Sequence, residues 1–505
     1  MNSKQAVNPA KKRFTGDPGL ALAVARKAAA EVPAYTRLLK ETGRLESLLN
    51  GACGIEDLPV TDKDSYCLPN DAGSLVAASL RKDVNGFFFS SGSSGRPFCW
   101  PRLKSAPHSL SLSGWLQDTY RVGEKITLTV VALNMDGWIA GMNTALALNQ
   151  FALEAPFPFM ASFPGSDYEQ ALQTIAMADP SVEQVVVFIY PVAIPYFLKL
   201  AQDLGIALPL RKMRFATTGD PFSEPFREHL DELCGAAWPE TALASFSYSS
   251  ADTRVIGTES RVSRALSRLL HLDGGLRRAF GLGENLPNLY ISVPKEELPL
   301  IEEVDGELVF TRWQPIPIVR YNLHDKGELW DWAETRRLVL GASLPASLNH
   351  LREEFARLET APGDLVALFG RSKALYFYGL YLDERAFSEL MRLPKLQAFA
   401  PGLFQVAPGG DQLHPRLIWD IELGQPGPDA AATDAAFYRA LIDGLTAIYP
   451  HFGVNYKNFL QKWDADPAKR VFQLNFHAYP ALSGKWPNSR KHRIIRAPGT
   501  AEDLP

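Results

Sequence analysis

Cysteine is scarce. The chain of 505 residues has four, Cys53, Cys67, Cys99 and Cys234, with no CxxC pair among them. That spacing excludes a zinc knuckle and a disulfide framework and fits a reducing compartment, so a cytoplasmic location is expected. An excess of one charge is lacking too: 52 Lys+Arg against 56 Asp+Glu leave a net charge of −4. Binders of nucleic acid or anionic membrane carry a basic bias, so neither partner is expected. Long apolar runs are absent. The most apolar stretch, residues 185–198, is broken by Pro191 and Pro195 and falls short of the ~20 residues that span a membrane. It reads as a buried strand leading into a turn and helix. Residues 1–16 are polar and basic (Lys4, Lys11, Lys12, Arg13), without the apolar stretch of a signal peptide, and read as a flexible tail. None of the nine histidines stands in an elbow such as GxSxG, so hydrolase chemistry has no support.

What is present is alternation. After helical periodicity over 21–49, strand and helix patterns follow one another: strand 126–133, helix 168–177, strand 184–189, helix 194–204, strand 213–217, helix 223–235. Such alternation argues for an α/β fold around a largely parallel sheet. Ser223 can cap the last of these helices and Gly235 can end it. Residues 289–330 turn strand-rich, and a fresh α/β pattern begins near Gly370. A chain of this length is too long for one core and should divide into domains.

The strongest local signal is Ser90-Ser91-Gly92-Ser93-Ser94-Gly95-Arg96-Pro97. Six small residues leave backbone N–H groups and hydroxyls open on one surface, a nest for phosphate oxygens. No Lys follows Gly95 and a strand is expected next, which excludes a Walker loop. A flexible Ser/Gly hairpin loop is the plainer reading of the same letters.

This octet resembles the phosphate-binding loop of the adenylate-forming superfamily (acyl-CoA synthetases, nonribosomal adenylation domains, luciferases), with Ser94 in place of the usual second Thr. Further matches occur in the family's order. Leu58-Pro59-Val60-Thr61-Asp62-Lys63 and Thr217-Thr218-Gly219-Asp220-Pro221 are similar to segments of the phenylacetate–CoA ligase-like branch. Gly306-Glu307-Leu308-Val309-Phe310-Thr311, Arg320-Tyr321-Asn322-Leu323-His324-Asp325 and Gly370-Arg371-Ser372-Lys373 resemble three later motifs.

The resemblance implies a large multi-layer α/β N-terminal domain over 17–370 that binds ATP and acid. A smaller mobile α+β domain over 371–505 would hinge at Lys373. The implied reaction is ATP-dependent activation of a carboxylic acid, expected to be aromatic, to an acyl-adenylate. Pyrophosphate is released and the acyl group passes to CoA. The alternatives are transfer to a carrier protein or an amine, and a non-catalytic nucleotide-binding protein. ATP, Mg²⁺ and CoA are the implied cofactors and second substrate. The small acid, with CoA or an acyl carrier protein, are the implied partners, and a homodimer is left open.

Residue roles follow the same resemblance. Ser90, Ser91, Gly92, Ser93, Ser94 and Gly95 would hold the β- and γ-phosphates, and Gly219, Asp220 and Pro221 would flank adenine. Tyr248 would stack on adenine and Asp252 would bind Mg²⁺, in Tyr248-Ser249-Ser250-Ala251-Asp252. Here Ser249 replaces a Gly and Asp252 the longer Glu. A surface loop is the plainer reading of Asp252. Asp325 would bind the ribose and Arg371 the ribose or phosphate. Lys491, with Lys485 the alternative, would contact the acyl carboxylate and α-phosphate. Trp138, Gly141 and Tyr190 would line the acyl pocket, though both aromatics also read as core. The segment 376–379 carries Tyr378 where the branch often has Arg, which leaves the acceptor open.

Overall fold

The computed structural model describes residues 8–89, 98–103, 108–135, 139–219, 221–283, 286–360, 363–371, 374–378, 380–397, 404–410, 414–423, 430–464, 466, 469–478, 482 and 495. Its main element is a mixed sheet of 13 strands among these residues. One half is parallel, in the order Leu243–Ser250, Met213–Thr218, Gln184–Phe188, Thr127–Val131, Phe159–Ser162. The middle strands are buried at every position. Runs such as Val185-Val186-Val187 explain this, because β-branched side chains fill both faces of a sheet covered by helices. The covering helices include Tyr168–Ala176, Ile194–Asp203 and Glu224–Cys234. The last is capped as its letters require: Ser223 accepts from the Phe226 N–H at 3.4 Å, and Gly235 ends the helix at φ 63°.

Leu243–Ser250 is the hinge of the topology. It pairs parallel with Met213–Thr218 and antiparallel with Arg254–Thr258. Beyond it the expectation of a largely parallel sheet gives way. Asn288–Ser292, Leu300–Val304, Glu307–Arg312, Ile318–Trp330 and Leu365–Arg371 pair antiparallel. The reason is local. Asp305 and Gly306, at φ 53° and 84°, close a tight hairpin where a parallel pair would need a crossover helix.

The flexible-tail expectation is corrected for residues 8–16; residues 1–7 lie outside the described ones. Phe14–Gly16 pairs with Leu300–Val304, and Lys11–Lys12 pairs with the far end of Ile318–Trp330. Ala10 is fully buried and Lys11 reaches Glu303 at 3.3 Å. A sheet edge supplies donors and acceptors that outweigh the polarity of these letters.

Towards the C-terminus a separate sheet joins Phe404–Gly410, Pro415–Leu423 and Phe472–Ala478, beside the helix Ala430–Ile448. Its apolar side chains, including Trp419 and Phe472, join those of the parallel half in one cluster. Among the described residues no helix is long and apolar enough to cross a membrane.

The start of Leu243–Ser250 is held by buried charge. Arg227 donates to the Leu243 carbonyl at 2.8 Å and pairs with Glu224 and Glu259. Glu259 in turn accepts from the Ser245 N–H at 2.8 Å, and Asp231 accepts from the Ala242 N–H at 2.5 Å and pairs with Arg268. With its start fixed this way, the other end of the strand can carry functional residues.

Candidate active site

Ligands of open α/β sheets bind beyond the carboxyl ends of the parallel strands. That edge gathers the described candidates. Tyr190 follows Gln184–Phe188, Gly219 follows Met213–Thr218, and Tyr248 and Asp252 lie at the end of Leu243–Ser250. Gly219 has φ 85°, and a Cβ there would rest 3.4 Å from the Tyr190 ring. Tyr190 thus packs beside Gly219 while belonging to the main apolar cluster.

Tyr248 is buried, its ring 5.4 Å from that of Tyr290. Its hydroxyl donates to Asp325 Oδ2 at 2.7 Å. Two residues 77 apart in sequence, each expected at the nucleoside, are therefore joined directly. Asp325 also stands opposite Arg371 in the strand register; of Arg371 only the backbone is described. The octet Ser90 to Pro97, Trp138, Asp220, Lys373, Lys485 and Lys491 lie outside the described residues. The strands flanking the octet, Val84–Phe89 and Cys99–Leu103, do form the expected hairpin.

Asp252 is buried, its relative exposure 8%, in a turn gripped from outside. Tyr321 donates its hydroxyl to Asp252 Oδ2 at 2.7 Å. Gln314 donates to the Asp252 carbonyl at 2.6 Å, and Arg102 to the Ala251 carbonyl at 2.7 Å. Arg312 donates to the carbonyls of Thr253 and Val255. Within the turn, the Ser250 hydroxyl accepts from the N–H groups of Asp252 and Thr253. Burial, then the charge of Asp252, holds the Tyr321 phenol well above its usual range, so it stays a donor. Burial, then the like charge of Arg254, works against the charges on Arg102 and Arg312. A buried turn with so many external partners cannot easily swing its carboxylate.

Arg102, Arg312 and Gln314 were not among the residues expected from sequence. Arg102 is 149 positions from its partner Ala251, and no motif marks such a pairing. Tyr321 sat inside a recognised motif without an assigned role.

No protein-family model matches the chain, and no curated protein does. Solved structures do match. One is 2-hydroxyisobutyryl-CoA ligase in complex with 2-HIB-AMP and CoA in the thioesterification state. It matches at TM-score 0.57 and 13% identity, over 95% of this chain and 89% of that one. The chain shares its fold with that ligase. A GH3 acyl acid amido synthetase in complex with 2,4-DB is also similar (TM-score 0.39, 12% identity, 94% of this chain and 91% of that one). So is a malonyl-CoA ligase with methylmalonyl-CoA and AMP bound (TM-score 0.36, 14%, 77% and 70%).

In this fold the acyl-side candidate Gly141 has a steric reason to be glycine. A Cβ there would lie 2.2 Å from the Asn134 carbonyl oxygen, where helix Ile139–Glu154 meets the end of a parallel strand. Gly141→Ala is expected to push that helix outward and cost about 1–3 kcal/mol, the range of overpacking. Urea unfolding checks this, and an unchanged midpoint would contradict the close approach.

Proposed function

We propose that this chain activates a carboxylic acid with ATP, releasing pyrophosphate, and passes the acyl group to CoA. The observation that carries the reading is the meeting of Tyr248, Asp325 and Asp252 at the carboxyl end of one strand, in this fold. Affinity to the phenylacetate–CoA ligase-like branch and an aromatic acid rest on the motif resemblance. So does a hinge at Lys373 between residues 17–370 and 371–505.

The chemistry explains why such parts suffice. A carboxylate oxygen attacks the α-phosphorus of ATP, the bond to the β-phosphate oxygen breaks, and pyrophosphate leaves. The CoA sulfur then attacks the acyl carbonyl and AMP departs. Neither step needs a covalent protein nucleophile; both need charge balanced and groups aligned. Asp325, steadied by the Tyr248 hydroxyl, would accept from the ribose hydroxyls. Asp252 offers a hard carboxylate oxygen held in place by Tyr321. One such group, with phosphate oxygens and water, is a usual donor set for Mg²⁺. The metal, when bound, would supply neutralisation of phosphate charge.

Pyrophosphate release from ATP should depend on acid across a panel of carboxylic acids, and CoA should speed turnover for the true substrate. Absence of acid-dependent release would refute the reading. Asp325→Ala is expected to weaken ATP and AMP binding by about 1.5–3 kcal/mol, roughly 10- to 150-fold, the range for a charge-assisted hydrogen bond. Unchanged affinity by calorimetry would remove Asp325 from the site.

A further inference from the structure

The residue before Asp325 has an unusual setting. His324 lies at φ 62°, a left-handed backbone that a side chain rarely adopts. Its N–H donates to the Asn322 side-chain oxygen at 2.6 Å. Its ring stands between two carboxylates from distant parts of the chain: Nδ1 is 3.1 Å from Glu307 Oε2, and Nε2 is 3.1 Å from Asp62 Oδ2. A neutral imidazole has one N–H, so one contact would then set a ring lone pair against a carboxylate oxygen. Both contacts together require the imidazolium.

The two carboxylates are themselves fixed. Asp62 caps the Lys63–Cys67 turn, accepting from the Ser65 N–H at 2.7 Å, and Glu307 accepts from the Asn322 amide at 2.7 Å. Segment 56–62 is laced along the first half of the strand Ile318–Trp330, which carries Asp325. The Thr61 N–H donates to the Arg320 carbonyl, the Asn322 N–H to the Thr61 carbonyl, and Arg320 to the carbonyls of Glu56 and Leu58. Past Asn322 this lacing passes to the His324 ring.

We propose that His324 is a positioning residue for Asp325: as an imidazolium it straps segment 56–62 and Glu307 to the stretch of strand that presents Asp325, and loss of its proton loosens nucleotide binding. The inference rests on the reading of Asp325 as a nucleotide ligand. The titratable groups facing the ring are Asp62 and Glu307, and both favour the charged form. The Asp62 contact is the largest influence raising the ring above its usual value, while the same contact holds Asp62 far below the usual carboxylate range. For a raised histidine the sign is fixed. The strap is complete below about pH 6.5, the ordinary histidine value, and is lost as pH rises through the raised one.

The test uses the full chain with ¹³C/¹⁵N-labelled histidine. NMR titration should find the His324 ring charged at pH 7. AMP affinity is measured from pH 7 to 9.5, above the second phosphate ionisation near pH ~6. It should fall by roughly two- to fivefold across the titration of His324 itself, the size expected of a partly exposed ion pair. H324Q should bind AMP at the weaker level with no such fall, and D62N should lower the His324 titration and the affinity profile together. A neutral ring at pH 7, or identical affinity and pH profile in wild type and H324Q, would overturn the inference alone. No AMP binding by the wild type at any pH would overturn the nucleotide reading and this inference with it.

Discussion

Arg227→Met is expected to destabilise the protein by about 3–5 kcal/mol, the largest effect on stability anticipated here. The side chain is 1% exposed and faces Glu224 and Glu259, which are 9% and 4% exposed. Removing a buried cation leaves its carboxylate partners in a medium that cannot solvate them, and that penalty exceeds the worth of the pair itself. Arg268, 3.9 Å from Glu224, relieves only part of it. Burial already pushes the Glu224 carboxyl above its usual range. Without Arg227 the Glu224 carboxyl would rise further and bind a proton in the folded state that the unfolded chain releases. Such groups lose stability as pH climbs through the unfolded carboxylate value, so the gap from wild type should be small near pH 4 and full at pH 7. A second change, Glu259→Gln, should recover part of the loss. Urea denaturation at both pH values checks this. A loss under 1 kcal/mol at pH 7 would contradict the buried network. Because Arg227 also holds the Leu243 carbonyl, the variant should lose nucleotide binding along with stability.

The second large effect concerns chemistry. Lys491→Ala should slow adenylate formation by about a hundredfold or more, while acyl transfer from a supplied acyl-adenylate is little changed. Lys491 lies outside the described residues, and the expectation rests on the motif resemblance near the C-terminus. An ammonium brought to the α-phosphate only as charge develops there stabilises that transition state and not the second one. Contacts of this kind are worth ~3–4 kcal/mol. The transfer step would use another orientation of the C-terminal domain, with this lysine away from the phosphate. Single-turnover measurements of the two half-reactions separate them. Equal losses in both would reject the role, and a selective loss with Lys485→Ala would reassign it.

Much of the parallel half was legible because local rules and tertiary packing agree there. The valine runs, the Ser223 cap and the Gly235 terminus each announce one structure. The candidate site was marked only by motif letters, at Gly219, Tyr248, Asp252 and Asp325. Its supports were not. The grip of Arg102 and Arg312 on the Ala251–Val255 carbonyls is made to backbone, which carries no letter. The His324 strap joins residues 262 positions apart, with nothing local to distinguish that histidine from any other exposed one. The antiparallel half was missed because strand letters do not state strand direction; the short Asp305-Gly306 turn does. The first strands were missed because Lys11, Lys12 and Arg13 read as solvated until a sheet edge is present to pair them.

The central claim is that a carboxylate oxygen of the substrate becomes bonded to the α-phosphorus of ATP. Isotope transfer tests it most directly. A carboxylic acid that supports turnover is supplied with ¹⁸O in its carboxyl group, and the released nucleotide is analysed by mass spectrometry. The account predicts AMP carrying one ¹⁸O, because the acyl carbon–oxygen bond of the adenylate breaks in the second step and leaves that oxygen on phosphorus. Unlabelled AMP, or label in inorganic phosphate with ADP as the nucleotide product, would contradict it.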